Sequence, residues 1–137
     1  MKQIVMILLY SIAFTSCDPG LINNYVVDNQ SDYSVEAKVR LQEGHRRIHE
    51  TDTIQIVKIK PKSKIEIIDY GQIGSAHDKK QHFLEAFDTI SIQSNGIPFK
   101  KRVRERNNWS YRVISEGLLS MDEVEYIFVI NNEAINE

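Results

Sequence analysis

Tyr33–Leu41 reads YSVEAKVRL, and its alternation is strict. Tyr33, Val35, Ala37, Val39 and Leu41 fall on one side, and Ser34, Glu36, Lys38 and Arg40 on the other. Successive side chains of a strand point to opposite faces, so the pattern predicts a half-buried antiparallel strand with one face on a core and one in water. Just upstream, Tyr25–Val27 forms a second candidate strand, separated from the first by the turn-forming cluster Asp28-Asn29-Gln30-Ser31-Asp32.

The pattern repeats downstream. A polar connection over residues 43–52 leads into TIQIVKIK (53–60), where Ile54 and Ile56 share one face while Val57 and Ile59 share the other. Such a change of phase implies a bulge or burial on both sides. PKSK (61–64) turns the chain, with Pro61 placed where its missing N–H harms no ladder, and IEIID (65–69) returns it. Gly71 and Gly74 bracket a further reversal. SAHDKKQHFLEAF (75–87) is the one stretch with a helical alternative, since Asp78 and Gln81 fit a capping box ahead of Phe83, Leu84 and Phe87. DTISIQSNGIPFKKRV (88–103) reads as a hairpin around Ser94-Asn95-Gly96. NWSYRVI (108–114) and VEYIFVI (124–130) are the last strands; the second is apolar on both faces, as an interior strand is.

About seven to eight short strands with at most one short helix predict an all-β fold, a single antiparallel β-sandwich. Its expected core includes Tyr33, Val35, Val39, Leu41, Ile90, Ile92, Tyr126, Phe128 and Ile130.

The N-terminus has a different character. Lys2 supplies a positive charge, Ile4–Phe14 is apolar apart from Ser11, and the small polar Thr15 and Ser16 precede Cys17, the sole cysteine. Charge, short apolar core and small residues are the order of a secretory signal peptide. A membrane-spanning helix needs roughly 20 apolar residues, about twice this run. Phe14-Thr15-Ser16-Cys17 resembles the lipobox of bacterial lipoproteins, although Phe14 stands where Leu is usual. The resemblance implies cleavage before Cys17 and attachment of a diacylglycerol to its sulfur. Two acyl chains suffice for stable anchoring where one is marginal. The expected organisation is a signal peptide over residues 1–16, a lipidated cysteine and tether over 17–24, and the sandwich over 25–137.

A second resemblance covers most of the chain. The cysteine and short tether, the N-x-S turn at Asn29–Ser31, DTISI with its Asn95-Gly96 turn, NNWSY and the closing YIFVINNE look like the small envelope lipoproteins of Bacteroidetes. That likeness implies an immunoglobulin-like or transthyretin-like sandwich and supplies no catalytic residue.

Composition narrows the function. Removing residues 1–16 from the 137 leaves 121, one domain, with 16 basic against 19 acidic residues. A balance of −3 excludes the strongly basic character of a general nucleic-acid binder. Without a second cysteine there is no internal disulfide, so the fold stands on its core. The histidine pairs His45/His49 and His77/His82 lack an H-E-x-x-H arrangement, and Arg46 and Arg47 would repel a cation, so no metal or cofactor is expected. No G-x-S-x-G elbow or glycine-rich phosphate loop is present, so no catalytic residue is expected either.

The sharpest charged feature is KKRVRER (100–106). As a strand it would place Lys100, Arg102, Arg104 and Arg106 on one face, a positive stripe for an anionic headgroup or acidic glycan, with Trp109 and Tyr111 as an aromatic platform beside it. The same cations also suit a solvated edge strand, where they deter sheet-to-sheet pairing, and the two aromatics would then be core.

The expectation is a lipid-anchored protein of the bacterial envelope with a non-enzymatic binding or structural role. Its partners would be the membrane, through Cys17, and a protein or glycan. A small periplasmic hydrolase or hydrolase inhibitor is the alternative. DPGLINN (18–24) carries one acid and no lysine, unlike acidic surface-export signals, which favours the outer membrane or a periplasm-facing site over the cell surface.

Overall fold

The computed structural model describes residues 20–45, 53–95, 97–117 and 121–135. The signal segment, Cys17 and His49 lie outside the described residues. The strands are β1 (Gly20–Asn29), β2 (Val35–Leu41), β3 (Gln55–Ile59), β4 (Ser63–Ile73), β5 (Phe87–Ser94), β6 (Ile97–Pro98), β7 (Trp109–Ser115) and β8 (Asp122–Ile130). A single-turn helix α1 (Asn132–Ile135) follows, and 3-10 turns cover Glu43–His45, Lys80–His82 and Arg106–Asn108.

Two four-stranded sheets form the sandwich, ordered β4-β1-β8-β7 and β3-β2-β5-β6. The fold is the all-β sandwich that the alternating pattern predicts. Its pairs are antiparallel except β1 with β8, which run parallel from Leu21↔Asp122 to Asn29↔Ile130. A parallel pair needs a long crossover, and here nearly the whole domain lies between the two strands. Because β1 and β2 sit in opposite sheets, the partition differs from the constant-type immunoglobulin order, whose first two strands share one.

The sandwich has two distinct ends. β1 and β8 start, and β4 finishes, at an entry end marked by Gly20, Ile73 and Asp122. The far end holds Asn29, Ser63, Ile130 and the start of β2. Nine residue steps of β1 separate the ends, about 30 Å at 3.3 Å per residue.

Between the sheets, Val124, Tyr126, Phe128 and Ile130 are all fully buried, as befits an interior strand. Tyr25 is the hub: its ring stacks on Tyr126 at 5.2 Å and Tyr70 at 5.9 Å, and meets Phe87 and Trp109 edge-on. Its hydroxyl donates to the Phe83 carbonyl. Burial pushes the Tyr25 hydroxyl far above the ordinary tyrosine range, so it stays a donor.

Several local expectations are corrected. Residues 20–24, read as tether, are the first half of β1, and Leu21 and Asn23 are fully buried. Leu21, Asn23, Tyr25, Val27 and Asn29 in fact continue one inward phase. Tyr33 is exposed (46 %) and precedes β2, because its carbonyl is held in a turn by Asn29 Nδ2 at 2.8 Å. Ile54 and Ile56 face solvent, while Val57 and Ile59 face inward. The β2–β3 register carries no bulge; the irregularities fall at Tyr25/Val26, Arg40/Leu41 and Val113/Ser115. Residues 75–87 hold only one 3-10 turn, and Asp78 Oδ1 accepts from the Lys80 N–H at 2.9 Å instead of closing a capping box.

Candidate functional site

A dense cluster of polar and charged groups lies where the β4–β5 loop meets the loop before β7. Asp78 turns the backbone through its bond to Lys80, which takes a left-handed conformation (φ 50°). That turn carries the Lys79 N–H to the Tyr126 hydroxyl, 3.0 Å away. The Lys79 ammonium is nearly enclosed and donates to Gln72 Oε1 (2.7 Å), Tyr70 Oη (3.2 Å) and Glu85 Oε1 (2.5 Å). All three of its protons are therefore used.

Arg106 completes the cluster from the opposite side. Its Nε and Nη2 form a fork onto Asp78, at 3.0 and 2.7 Å, while Nη1 donates to the Trp109 carbonyl at 2.5 Å. The guanidinium also lies over the Phe83 and Tyr126 rings, at 5.7 and 5.5 Å. Planar two-point contact with a carboxylate and stacking on rings are uses to which arginine is suited and lysine is not. Burial raises the Asp78 carboxyl, but the Arg106 fork and the Lys80 N–H outweigh it and hold it below the usual carboxylate range. Lys79 does the same for Glu85. Burial pushes the Tyr126 hydroxyl up to about 12. Chemically, the cluster is a lock: its ions neutralise each other and pin two loops across the aromatic core.

The predicted stripe does not form. Residues 100–105 belong to no strand, and Arg106 opens a 3-10 turn. Arg106 points into the lock. Lys101, expected on the opposite face, is half-buried, donates to the Val129 carbonyl at 2.9 Å and lies over the Phe128 ring. Loss of water lowers its pKa. Lys100, Arg102 and Arg104 remain exposed. Arg102 lies 3.6 Å from Glu105, a solvent-facing pair of little energetic weight. The aromatic platform is corrected too. Trp109 is core, its ring packed on Phe128 and Phe83 and its indole N–H donating to Val103 O at 2.7 Å. Tyr111 packs on Tyr126, and burial raises its hydroxyl.

His45 packs edge-on against Tyr70, whereas His77 and His82 are exposed. Among the described residues, no group of three or more His, Cys, Asp and Glu side chains is placed to hold a metal ion. A shallow groove of about 450 Å³ at the far end is lined by Ser34, Glu36, Lys58, Lys60, Gln93 and Asn95 together with the apolar Val35 and Ile59.

Sequence reading missed Lys79, Glu85 and the buried asparagines of β1. For the asparagines a signal existed, since Asn23 and Asn29 continue the phase of Tyr25 and Val27. For Lys79–Glu85 and Asp78–Arg106 there was none, because loops carry no periodicity.

Comparison of the chain with protein-family models, curated proteins and solved structures finds no match.

Proposed function

We propose that the chain is a lipid-anchored protein of the bacterial cell envelope, acylated at Cys17 after removal of residues 1–16. Its sandwich presents a non-catalytic binding surface. The observation that carries this reading is the order of residues 2–17: charge, apolar run, small residues and a lone cysteine. The commitment of Asp78, Arg106, Lys79 and Glu85 to one another favours a binding role over catalysis. Lys100, Arg102 and Arg104, with Lys58 and Lys60 around the far-end groove, favour an acidic protein or glycan as partner.

Metabolic labelling with an alkyne fatty acid tests the anchor. The wild-type chain should take up the label and Cys17→Ser should not. Label retained in Cys17→Ser would sink the reading.

A further inference from the structure

At the entry end, the outward face of the β4-β1-β8 sheet carries exposed apolar side chains where polar ones are expected. Ile73 is 75 % exposed and pairs with Gly20, while Met121 is 59 % exposed and lies directly before β8. Gly20 joins them. A Cβ there would lie 2.9 Å from Met121 Cγ, so glycine is what lets the methionine lie against the first residue of β1. Half-buried Ile22 continues the face one step along β1, and Ile114, 45 % exposed, lies in the β7 irregularity opposite β8. Two carboxylates lie among these side chains, Glu123 directly opposite Ile22, and both are occupied. Asp122 accepts from the Ala76 and Gly117 N–H groups at 2.9 and 3.1 Å, and Glu123 accepts from Asn24 Nδ2 at 2.7 Å. Glu116, next to the rim, is exposed.

We propose that this rim of Ile73, Met121, Ile114 and Ile22 rests on the lipid bilayer, its apolar side chains entering the interface between headgroups and acyl chains. The inference rests on the anchored reading above and adds the orientation of the domain. Three residues lead from Cys17 to Gly20, and at most about 3.6 Å each gives a tether of roughly 11 Å. An acylated sulfur sits at the membrane surface, so Gly20 and the side chains beside it lie within that reach of the bilayer. The far end, about 30 Å away along β1, does not. Exposed apolar side chains gathered at one end of a sheet mark a contact, and the occupant that the short tether brings to this one is lipid.

Met121 provides the test, because Met1 and Met6 leave with the signal segment and no other methionine follows. The full chain carrying Lys62→Met is produced in a bacterial host, reconstituted into phosphatidylethanolamine–phosphatidylglycerol vesicles and treated with water-soluble chloramine-T. Lys62 lies in the β3–β4 turn at the far end and is exposed, as Met121 is. Mass spectrometry reads the oxidation of both methionines and the acyl mass on the N-terminal peptide together. Met121 should oxidise at least about tenfold more slowly than the far-end reference. Adding Ile73→Asp should bring the two rates together, with acylation and melting temperature unchanged. Equal rates on an acylated chain overturn the orientation and leave the anchor standing. Protection that survives Ile73→Asp also overturns it, since the rim is then not what shields the methionine. A chain without acyl mass removes the anchored reading and the inference with it.

Discussion

Two asparagines on the same face of β1 divide the molecule. Asn23 and Asn29 lie six residues apart, both fully buried, one near each end of the strand. Asn29 is saturated. Its Nδ2 donates to Tyr33 O (2.8 Å) and Lys60 O (3.0 Å), and its Oδ1 accepts from Ser31 Oγ (2.6 Å) and Ser31 N (3.2 Å). Asn23 has no hydrogen-bond partner for either side-chain atom among the described residues. The difference teaches how the two ends are closed. At the far end one amide ties the β1–β2 turn to the β3–β4 turn, and Lys62 reinforces the tie through Gln30 O and Asp32, both at 2.8 Å. Near the entry end the Asn23 amide ties nothing, and the β4–β5 loop is held instead by its ion pairs farther along the sandwich, from Asp122 through Tyr126 to Arg106 beside Trp109.

The largest effect should come from breaking the saturated amide. Asn29→Ala removes the bonds to Tyr33 O, Lys60 O and Ser31, although Ser31 Oγ and Ser63 Oγ still reach the two carbonyls, and at about 1 kcal/mol net per hydrogen bond lost it is expected to cost about 3 kcal/mol. That is a large share of a total of about 5–15 kcal/mol. Urea denaturation measures it, and an unchanged midpoint would dissolve the contrast between the ends.

Next is the ionic lock between the β4–β5 loop and the loop before β7. Arg106→Ala should cost about 2 kcal/mol, between the 0–1 of an exposed ion pair and the 3–5 of a fully buried one, because the pair is only partly enclosed. Its pH signature is specific. Asp78 has a lowered folded pKa, so the unfolded chain binds more protons, and the stabilisation is complete above about pH 4 and lost as pH falls through the folded value. Asp78→Asn should remove that part of the acid sensitivity below about pH 5, while the Glu85 contribution persists. A variant as acid-labile as wild type would show that Arg106 does not hold the carboxylate.

The opposite sign is expected at Asn23. Burying an amide without partners costs about 1–3 kcal/mol, and leucine has a similar length without the polar atoms. Asn23→Leu should therefore stabilise by about 1 kcal/mol, a rise of roughly 4 °C in melting temperature. A loss of stability would mean that the amide is satisfied after all, and that the two asparagines are alike.

These contrasts also show where the sequence was legible. Strands that alternate against a solvated face, such as Val35–Leu41, announce themselves, and so does the doubly apolar β8. β1 was half missed because Asp18-Pro19-Gly20 and Asn23-Asn24 carry turn-forming chemistry, yet tertiary pairing with both β4 and β8 draws residues 20–24 into a central strand. KKRVRER was read as a strand because alternation was the only available test. What decides its course is Arg106 meeting Asp78, a contact across 28 residues between two loops that no local pattern encodes. Trp109 and Tyr111 could be read as platform or core from sequence, and only the position of β7 against β8 chooses core.

The smallest effect tests the same division with charge. Lys100, Arg102 and Arg104 precede β7 at its far-end start, and neighbouring Lys101 reaches Val129, seven residues along β8 from Asp122. That places the loop about 23 Å from the entry end, at 3.3 Å per residue. Potential from exposed charges decays over roughly 8 Å at physiological salt, so these cations lie beyond effective reach of a membrane touching Gly20. Changing all three to Ser in the lipidated chain should alter stability by less than about 0.5 kcal/mol, as exposed charges do. It should leave attachment to acidic and neutral vesicles equal. Capture by an immobilised polyanionic glycan, which approaches from the solvent side, should weaken instead, and the salt dependence of that capture should flatten. If the triple variant lost attachment to acidic vesicles, the loop would be facing the bilayer, and the two ends would have to exchange roles.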